Sequence, residues 1–194
     1  GLAVKTGDAR FSKLFLSEGP ADEFIHVPFN DLDAMEDSLS GKDVACVIME
    51  TIPATYGFPM PEVGYLPAVK QLCVKYDALY IADEVQTGLM RTGELWAITK
   101  YGVEPDILVT GKGISGGIYP IACVVVGKDH AGWLTQDGFG HMATMGGAEL
   151  GCIVALKVLE IIQRDEVRSS VRFIADYMSR QLTAIQQLYR DFFI

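Results

Sequence analysis

Leu79-Tyr-Ile-Ala-Asp-Glu-Val-Gln-Thr-Gly88 and Asp106-Ile-Leu-Val-Thr-Gly-Lys-Gly-Ile-Ser-Gly-Gly117 decide how this chain folds. Each contains a short apolar run of strand length. The first run ends in a carboxylate, Asp83. The second is followed by an amine, Lys112, 29 positions after Asp83. Gly111, Gly113, Gly116 and Gly117 surround the lysine, and residues without a side chain let a ligand come close to the backbone.

Outward from this pair, the pattern is that of alternating strands and helices. Asp43 to Glu50 is a continuous apolar run, which suits a strand covered on both faces. Gly64 to Tyr76 carries Leu66, Val69, Leu72, Cys73 and Tyr76 at helical spacing. With the strand Leu79 to Ala82 these segments make a βαβ unit, and ligands gather at the carboxyl ends of such strands. Asp83 stands at one such end. Ile107 to Thr110 is expected as a third strand and Ile121 to Val126 as a fourth, with Lys112 in the turn between them. Asp31 to Leu39 is expected as a short helix, capped by Asn30 or Asp31 and stopped by Gly41. Thr51 to Glu62 holds three prolines and a glycine and reads as a loop. Trp96 to Tyr101 is expected to be helical, and Gly147 to Ile162 and Val167 to Tyr189 to be long helices. Residues 1–30 read as irregular. There is no internal repeat, and the whole is predicted to be one α/β layer.

Composition narrows the function. With 194 residues, 49% of them hydrophobic, the chain has enough apolar material for one sizeable core. The longest apolar stretch, Ile118 to Val126, is too short to cross a bilayer. No basic, apolar leader follows Gly1. A net charge of −9 argues against a nucleic-acid partner, which wants a basic face. Cys46, Cys73, Cys123 and Cys152 lie far apart without a Cys-x-x-Cys, so reduced core thiols and a cytoplasmic setting are expected. His26, His130 and His141 show no metal-ligand spacing and read as surface or loop residues.

A lysine and a carboxylate in these places are what pyridoxal phosphate (PLP) requires. One amine forms the Schiff base with the cofactor aldehyde, and one carboxylate keeps the pyridine nitrogen protonated so that the ring can act as an electron sink. Taken singly, a lysine is more often a solvated surface residue and an Asp ending a strand more often a turn or cap residue. The neighbouring motifs tip the balance. Asp83-Glu-Val-Gln-Thr-Gly-Leu-Met-Arg-Thr-Gly-Glu-Leu-Trp96, Glu104-Pro-Asp-Ile-Leu108 and Gly111-Lys-Gly-Ile-Ser-Gly-Gly-Ile-Tyr-Pro120 resemble the PLP-dependent class III aminotransferases. That family includes the ornithine, acetylornithine and 4-aminobutyrate aminotransferases. The resemblance runs in order from about Val44 to Ile162, and His26-Val-Pro-Phe-Asn-Asp-Leu32 fits ahead of it.

The resemblance implies a fold-type I large domain, with a mixed, mostly parallel sheet and helices on both faces. It places residues 1–194 as part of that domain, with the cofactor-phosphate segment and the small domain outside the chain, which alone would then be inactive. It implies an aminotransferase that moves an amino group from an amine or amino-acid donor to a 2-oxo acid through a Lys112 aldimine, working as a homodimer with active sites at the subunit interface. Asp83 would face the ring nitrogen, Val85 would pack on the ring, and Gln86 would lie near its phenolic oxygen. Thr144, in Gly140-His-Met-Ala-Thr-Met-Gly-Gly-Ala-Glu149, would bind the phosphate of the cofactor held by the partner subunit. Its blander role is a loop threonine capping the next helix. The usual aromatic after it is Met145 here, and the usual Asn-Pro is Ala148-Glu149. Glu50 would help bind substrate or an active-site arginine, but the family's Glu-Pro is here Glu50-Thr-Ile-Pro-Ala-Thr55, so the substrate class stays open.

Other chemistries fit less well. A phosphate-binding loop wants Gly-x-x-x-x-Gly-Lys-Ser/Thr, whereas Gly113 follows Lys112 and Asp106 stands where the first glycine belongs. Gly113-Ile-Ser-Gly-Gly117 matches the Gly-x-Ser-x-Gly of serine hydrolases, with Asp129 and His141 following in order. That elbow should open a helix, and Tyr119-Pro-Ile-Ala-Cys-Val-Val-Val126 reads as a strand. A non-catalytic paralogue is the remaining alternative.

Overall fold

Apolar runs flanked by glycine, proline and polar residues become strands in the computed structural model, which describes residues 24–137 and 143–190. The chain divides into two compact units, residues 1–47 with 61–79, and residues 48–60 with 80–194. Residues 1–23, His141 and Phe192 to Ile194 lie outside the described residues.

The first unit is built on two helices. α1 (Leu32–Leu39) begins at Asp31, whose carboxylate accepts the Ala34 N–H at 2.9 Å, the capping that the sequence suggests. α2 (Tyr65–Tyr76) starts after Gly64 at φ 85° and ends at Asp77 at φ 60°. Met35 and Leu39 from α1 and Leu66, Val69 and Cys73 from α2 are all buried, the product of apolar residues recurring every three or four positions. The Phe29 ring meets the Tyr65 ring edge-on, with centroids 5.2 Å apart. Glu36 accepts from Lys75 Nζ at 2.6 Å and from the Tyr76 hydroxyl at 2.8 Å. Those two donors hold its carboxyl below the usual carboxylate range, the Lys75 hydrogen bond contributing most.

The second unit carries most of the sheet. Strands β1 (Cys46–Glu50), β2 (Leu79–Asp83), β3 (Ile107–Thr110) and β4 (Cys123–Val126) lie in that spatial order. β2 and β3 run parallel, with Ile81 beside Ile107 and Asp83 beside Val109. β4 runs antiparallel to β3, with Thr110 beside Cys123, because a turn rather than a crossover joins them. Asp106 splices the amino end of this ladder. Its carboxylate accepts the Tyr80 N–H at 2.7 Å and lies 3.3 Å from His130 Nε2, and its carbonyl accepts the Gly127 N–H at 2.8 Å.

Three helices follow: α3 (Gly132–Gln136), α4 (Glu149–Ile162) and α5 (Asp165–Leu188). α4 comes close to the chain beyond Lys112. A Cβ on Gly151 would sit 3.1 Å from the Tyr119 ring and 3.2 Å from Ile121 Cδ1, and one on Gly116 would sit 3.0 Å from Val158 Cγ2.

Several sequence expectations need correction. β1 begins at Cys46 and is half-buried rather than covered on both faces, and Cys46 is exposed rather than a core thiol. Trp96 to Tyr101 is helical as expected, but as a short 3-10 turn (Ala97–Tyr101). The N–H groups of Ala97 and Ile98 are taken by the Glu84 carboxylate, and Gly102, at φ 68°, ends the turn. β4 starts two residues late, at Cys123, which lies opposite Thr110, the last residue of β3. Residues 54–56 of the expected loop make another 3-10 turn.

Candidate active site

The register of β2 against β3 brings the two chemical groups to one end of the sheet. Asp83 is paired with Val109, and Lys112 follows Val109 by three residues, so both leave the carboxyl ends of adjacent parallel strands. A carboxyl end at the edge of an α/β crossover is where ligands bind in such sheets.

Each side chain is set by its local backbone. Asp83 is half-buried, and its Oδ1 accepts the Val85 N–H at 3.0 Å, a two-residue side-chain turn that fixes the carboxylate at the strand end. Among the described residues its Oδ2 has no hydrogen-bond partner. Val85 turns back so that its methyls lie 3.5 and 3.6 Å from where a Cβ on Gly111 would stand. The residue before the lysine is thus packed against the residue two beyond the aspartate. Gln86 follows, half-buried. Gly88 closes the motif for a steric reason: a Cβ there would meet Glu84 O at 2.7 Å and the Trp96 ring at 2.8 Å.

Lys112 opens a 3-10 turn (Lys112–Ser115) and has a left-handed backbone, φ 44°. The side chain is exposed and has no ion-pair partner among the described residues. The turn holds itself. Ile114 N–H donates to Gly111 O at 3.2 Å, the Ser115 hydroxyl donates to Lys112 O at 2.8 Å, and Ser115 Oγ accepts the Gly117 N–H at 3.1 Å. Ser115 therefore spends its hydroxyl on the turn. The segment after it leads into β4 and not into a helix, so the Gly-x-Ser-x-Gly match is not a hydrolase elbow.

The other expected site residues are placed less tightly. Glu50 ends β1, half-buried, and its Oε2 accepts the Ala54 N–H at 3.2 Å across the loop where the Glu-Pro pattern is lost. Thr144 is exposed and precedes α4, whose first turn has Ala148 as cap and receives no side-chain hydrogen bond. Threonine capping is therefore not its role.

Sequence reasoning passed over Glu84. It is 1% exposed and accepts four hydrogen bonds, from Thr51 Oγ1 at 2.5 Å, Thr87 Oγ1 at 2.8 Å, Ala97 N at 2.9 Å and Ile98 N at 2.8 Å. A Glu directly after a strand carboxylate reads as a second solvated acid. Only the two threonines, Thr87 three residues on and Thr51 far upstream, hint otherwise.

The donor set is an open amine and a carboxylate with an open oxygen, on adjacent strand ends, beside a run of exposed glycines. It fits a ligand that offers an electrophilic carbonyl to the amine and a basic ring nitrogen to the carboxylate. No group of three or more His, Cys, Asp or Glu that could hold a metal ion occurs among the described residues.

Residues 9–193 match the family model described as Aminotransferase class-III. An uncharacterized aminotransferase of Archaeoglobus fulgidus is 42% identical over 189 residues, covering 97% of this chain and 44% of that protein. The acetylornithine aminotransferase of Elizabethkingia anophelis has a TM-score of 0.79 at 33% identity, covering 90% of this chain and 44% of its own. An ornithine aminotransferase of Toxoplasma gondii has a TM-score of 0.75 at 33% identity, covering 92% of this chain and 40% of its own. That structure has PLP at partial occupancy in its active site. The chain spans less than half the length of the curated relatives it matches.

Proposed function

The chain belongs to the class-III aminotransferases, and on that premise we propose that it carries the cofactor lysine of a PLP-dependent enzyme that moves an amino group from an amine or amino-acid donor to a 2-oxo acid. The fold is the α/β large domain of fold-type I. The observation that supports the reading best is the pairing of Asp83 and Lys112 at the carboxyl ends of two parallel, adjacent strands.

The residues have distinct roles. Lys112 Nζ holds the cofactor and moves the proton off the carbon that bears the donor's amine. Asp83 Oδ2 keeps a proton on the ring nitrogen, its other oxygen being tied to the Val85 N–H. Val85 supplies an apolar wall and Gln86 a polar contact to the ring. Thr144 gives its hydroxyl to the phosphate across a homodimer interface, and Glu50 orients the substrate or an arginine that binds it. When bound, PLP supplies the electron sink that makes the carbon–hydrogen bond beside the amine acidic. The ornithine and acetylornithine aminotransferases among the relatives favour an amino-acid donor. The free cysteines support a cytoplasmic setting, and no helix among the described residues is long and apolar enough to cross a membrane.

The deciding experiment is borohydride reduction of the PLP-loaded protein followed by peptide mapping. The label is expected on Lys112. A label on Lys70, Lys75 or Lys128 would overturn the assignment.

A further inference from the structure

Adjacent strand residues point to opposite faces of a sheet. Asp83 and Glu84 are therefore divided at the end of β2, one carboxylate toward the candidate site and the other into the protein. Taking a carboxylate out of water is costly unless each lone pair finds a donor. Glu84 meets that condition with two donors on each oxygen. Oε1 takes Thr51 Oγ1 and the Ile98 N–H, and Oε2 takes Thr87 Oγ1 and the Ala97 N–H. The donors come from three segments: the loop after β1, the turn after β2, and the 3-10 turn Ala97–Tyr101. The backbone of Glu84 is held as well. Its N–H donates to Val109 O at 2.8 Å, and its carbonyl accepts the Gly88 N–H at 3.0 Å.

We propose that Glu84 is a positioning residue for the cofactor: its buried carboxylate clamps the end of β2, so that Asp83 meets the ring nitrogen at a fixed bearing. The proposal rests on the aminotransferase reading. Glu84 never touches substrate or cofactor itself. It acts through Asp83 and the Asp83–Val85 turn, the first backbone that would swing if the clamp were released. Glutamine cannot replace it. Whichever way the amide is turned, one former acceptor becomes a donor, and the backbone N–H it faces, of Ala97 or Ile98, loses its partner, while the threonine hydroxyl on that side can only turn to accept.

The test uses the full protein. In Glu84→Gln, PLP is expected to bind about tenfold more weakly, the size of one charge-assisted hydrogen bond lost. Hydrogen exchange at the Val85 amide is expected to quicken, while saturating PLP still lets borohydride label Lys112. Thr51→Val and Thr87→Val each remove one donor and leave the carboxylate, so they fold more readily and should give smaller changes in the same direction. Val69→Ala, in the other unit, serves as a control matched in melting temperature and is expected to leave PLP affinity and Val85 exchange unchanged. Native affinity and exchange in Glu84→Gln, with Lys112 labelled, would overturn the proposal and leave the aminotransferase reading standing. Equal losses in Val69→Ala would also overturn it, since stability alone would explain them. If Lys112 is unlabelled in the unsubstituted protein, the aminotransferase reading falls and the proposal falls with it.

Discussion

The amine of Lys112 rides on a backbone angle that lysine seldom adopts, φ 44°. An L-residue in the left-handed region costs roughly 1 kcal/mol, and such strain gathers where function requires it. Glycine at this position would lift the strain and remove the amine together. Lys112→Gly is therefore expected to be more stable than Lys112→Ala by about 1 kcal/mol, both variants failing to take up a borohydride label. Equal unfolding midpoints would show that the turn is not strained. Asp83→Asn isolates the partner group. The amide can keep the bond to the Val85 N–H but holds no proton on a ring nitrogen, so turnover is expected to drop by a factor on the order of a hundred or more with the melting temperature little changed. Near-native turnover would reduce Asp83 to a turn residue. Both side chains are legible in the sequence because each interrupts an apolar run with a charge. The φ of Lys112 is not, since it belongs to a turn closed by hydrogen bonds that apolar patterning does not show, and the clamp of Glu84 is not, since Thr51, Ala97 and Ile98 reach it from far along the chain.

Between elements, packing and local chemistry divide the work differently. The α1–α2 pair is decided by periodicity: of the five residues that helical spacing marks on α2, Leu66, Val69 and Cys73 are buried, and Leu72 and Tyr76 are half-buried. The Glu36–Lys75–Tyr76 cluster that joins the pair at the surface is invisible to periodicity. Its effect has a definite sign. The folded carboxyl of Glu36 has a lowered pKa, so it binds its proton less readily than the unfolded carboxyl does. The stabilisation is present above the ordinary carboxylate pKa and is lost as pH falls through the lowered one. Glu36→Gln should unfold at lower urea than the native chain at neutral pH, and the gap should close in strong acid. A gap that stays constant with pH would mean that the charge contributes nothing. The same division explains why the helical segment at Trp96 to Tyr101 is a 3-10 turn. Trp96, Ala97, Ile98 and Tyr101 suggest a helical turn, the Glu84 carboxylate captures its first N–H groups, and Gly102 stops it within five residues.

At the scale of the whole chain, the order of strands and helices could be read from the sequence, because each strand is a short apolar run bounded by glycine, proline or charge. The degree of burial could not. An apolar run need not be covered: Val124 and Val125 of β4 and Leu150, Ile153 and Leu156 of α4 are exposed. α5 carries the largest such surface. Ile174, Tyr177, Met178, Leu182, Ile185 and Leu188 recur every three or four residues along 24 residues of helix, and each is at least 40% exposed. Periodicity shows that a face is apolar but not what lies against it. Contiguous apolar patches of this kind are uncommon on soluble monomers and drive association. The 194-residue chain by itself is therefore expected to self-associate as its concentration rises, which sedimentation velocity would detect. Leu182→Gln with Ile185→Gln keeps good helix formers in the stripe while interrupting its apolar surface, and should shift the chain toward monomer without loss of helical signal. A native chain that stays monomeric over a wide range of concentration would show that the stripe is not the adhesive surface its exposure implies.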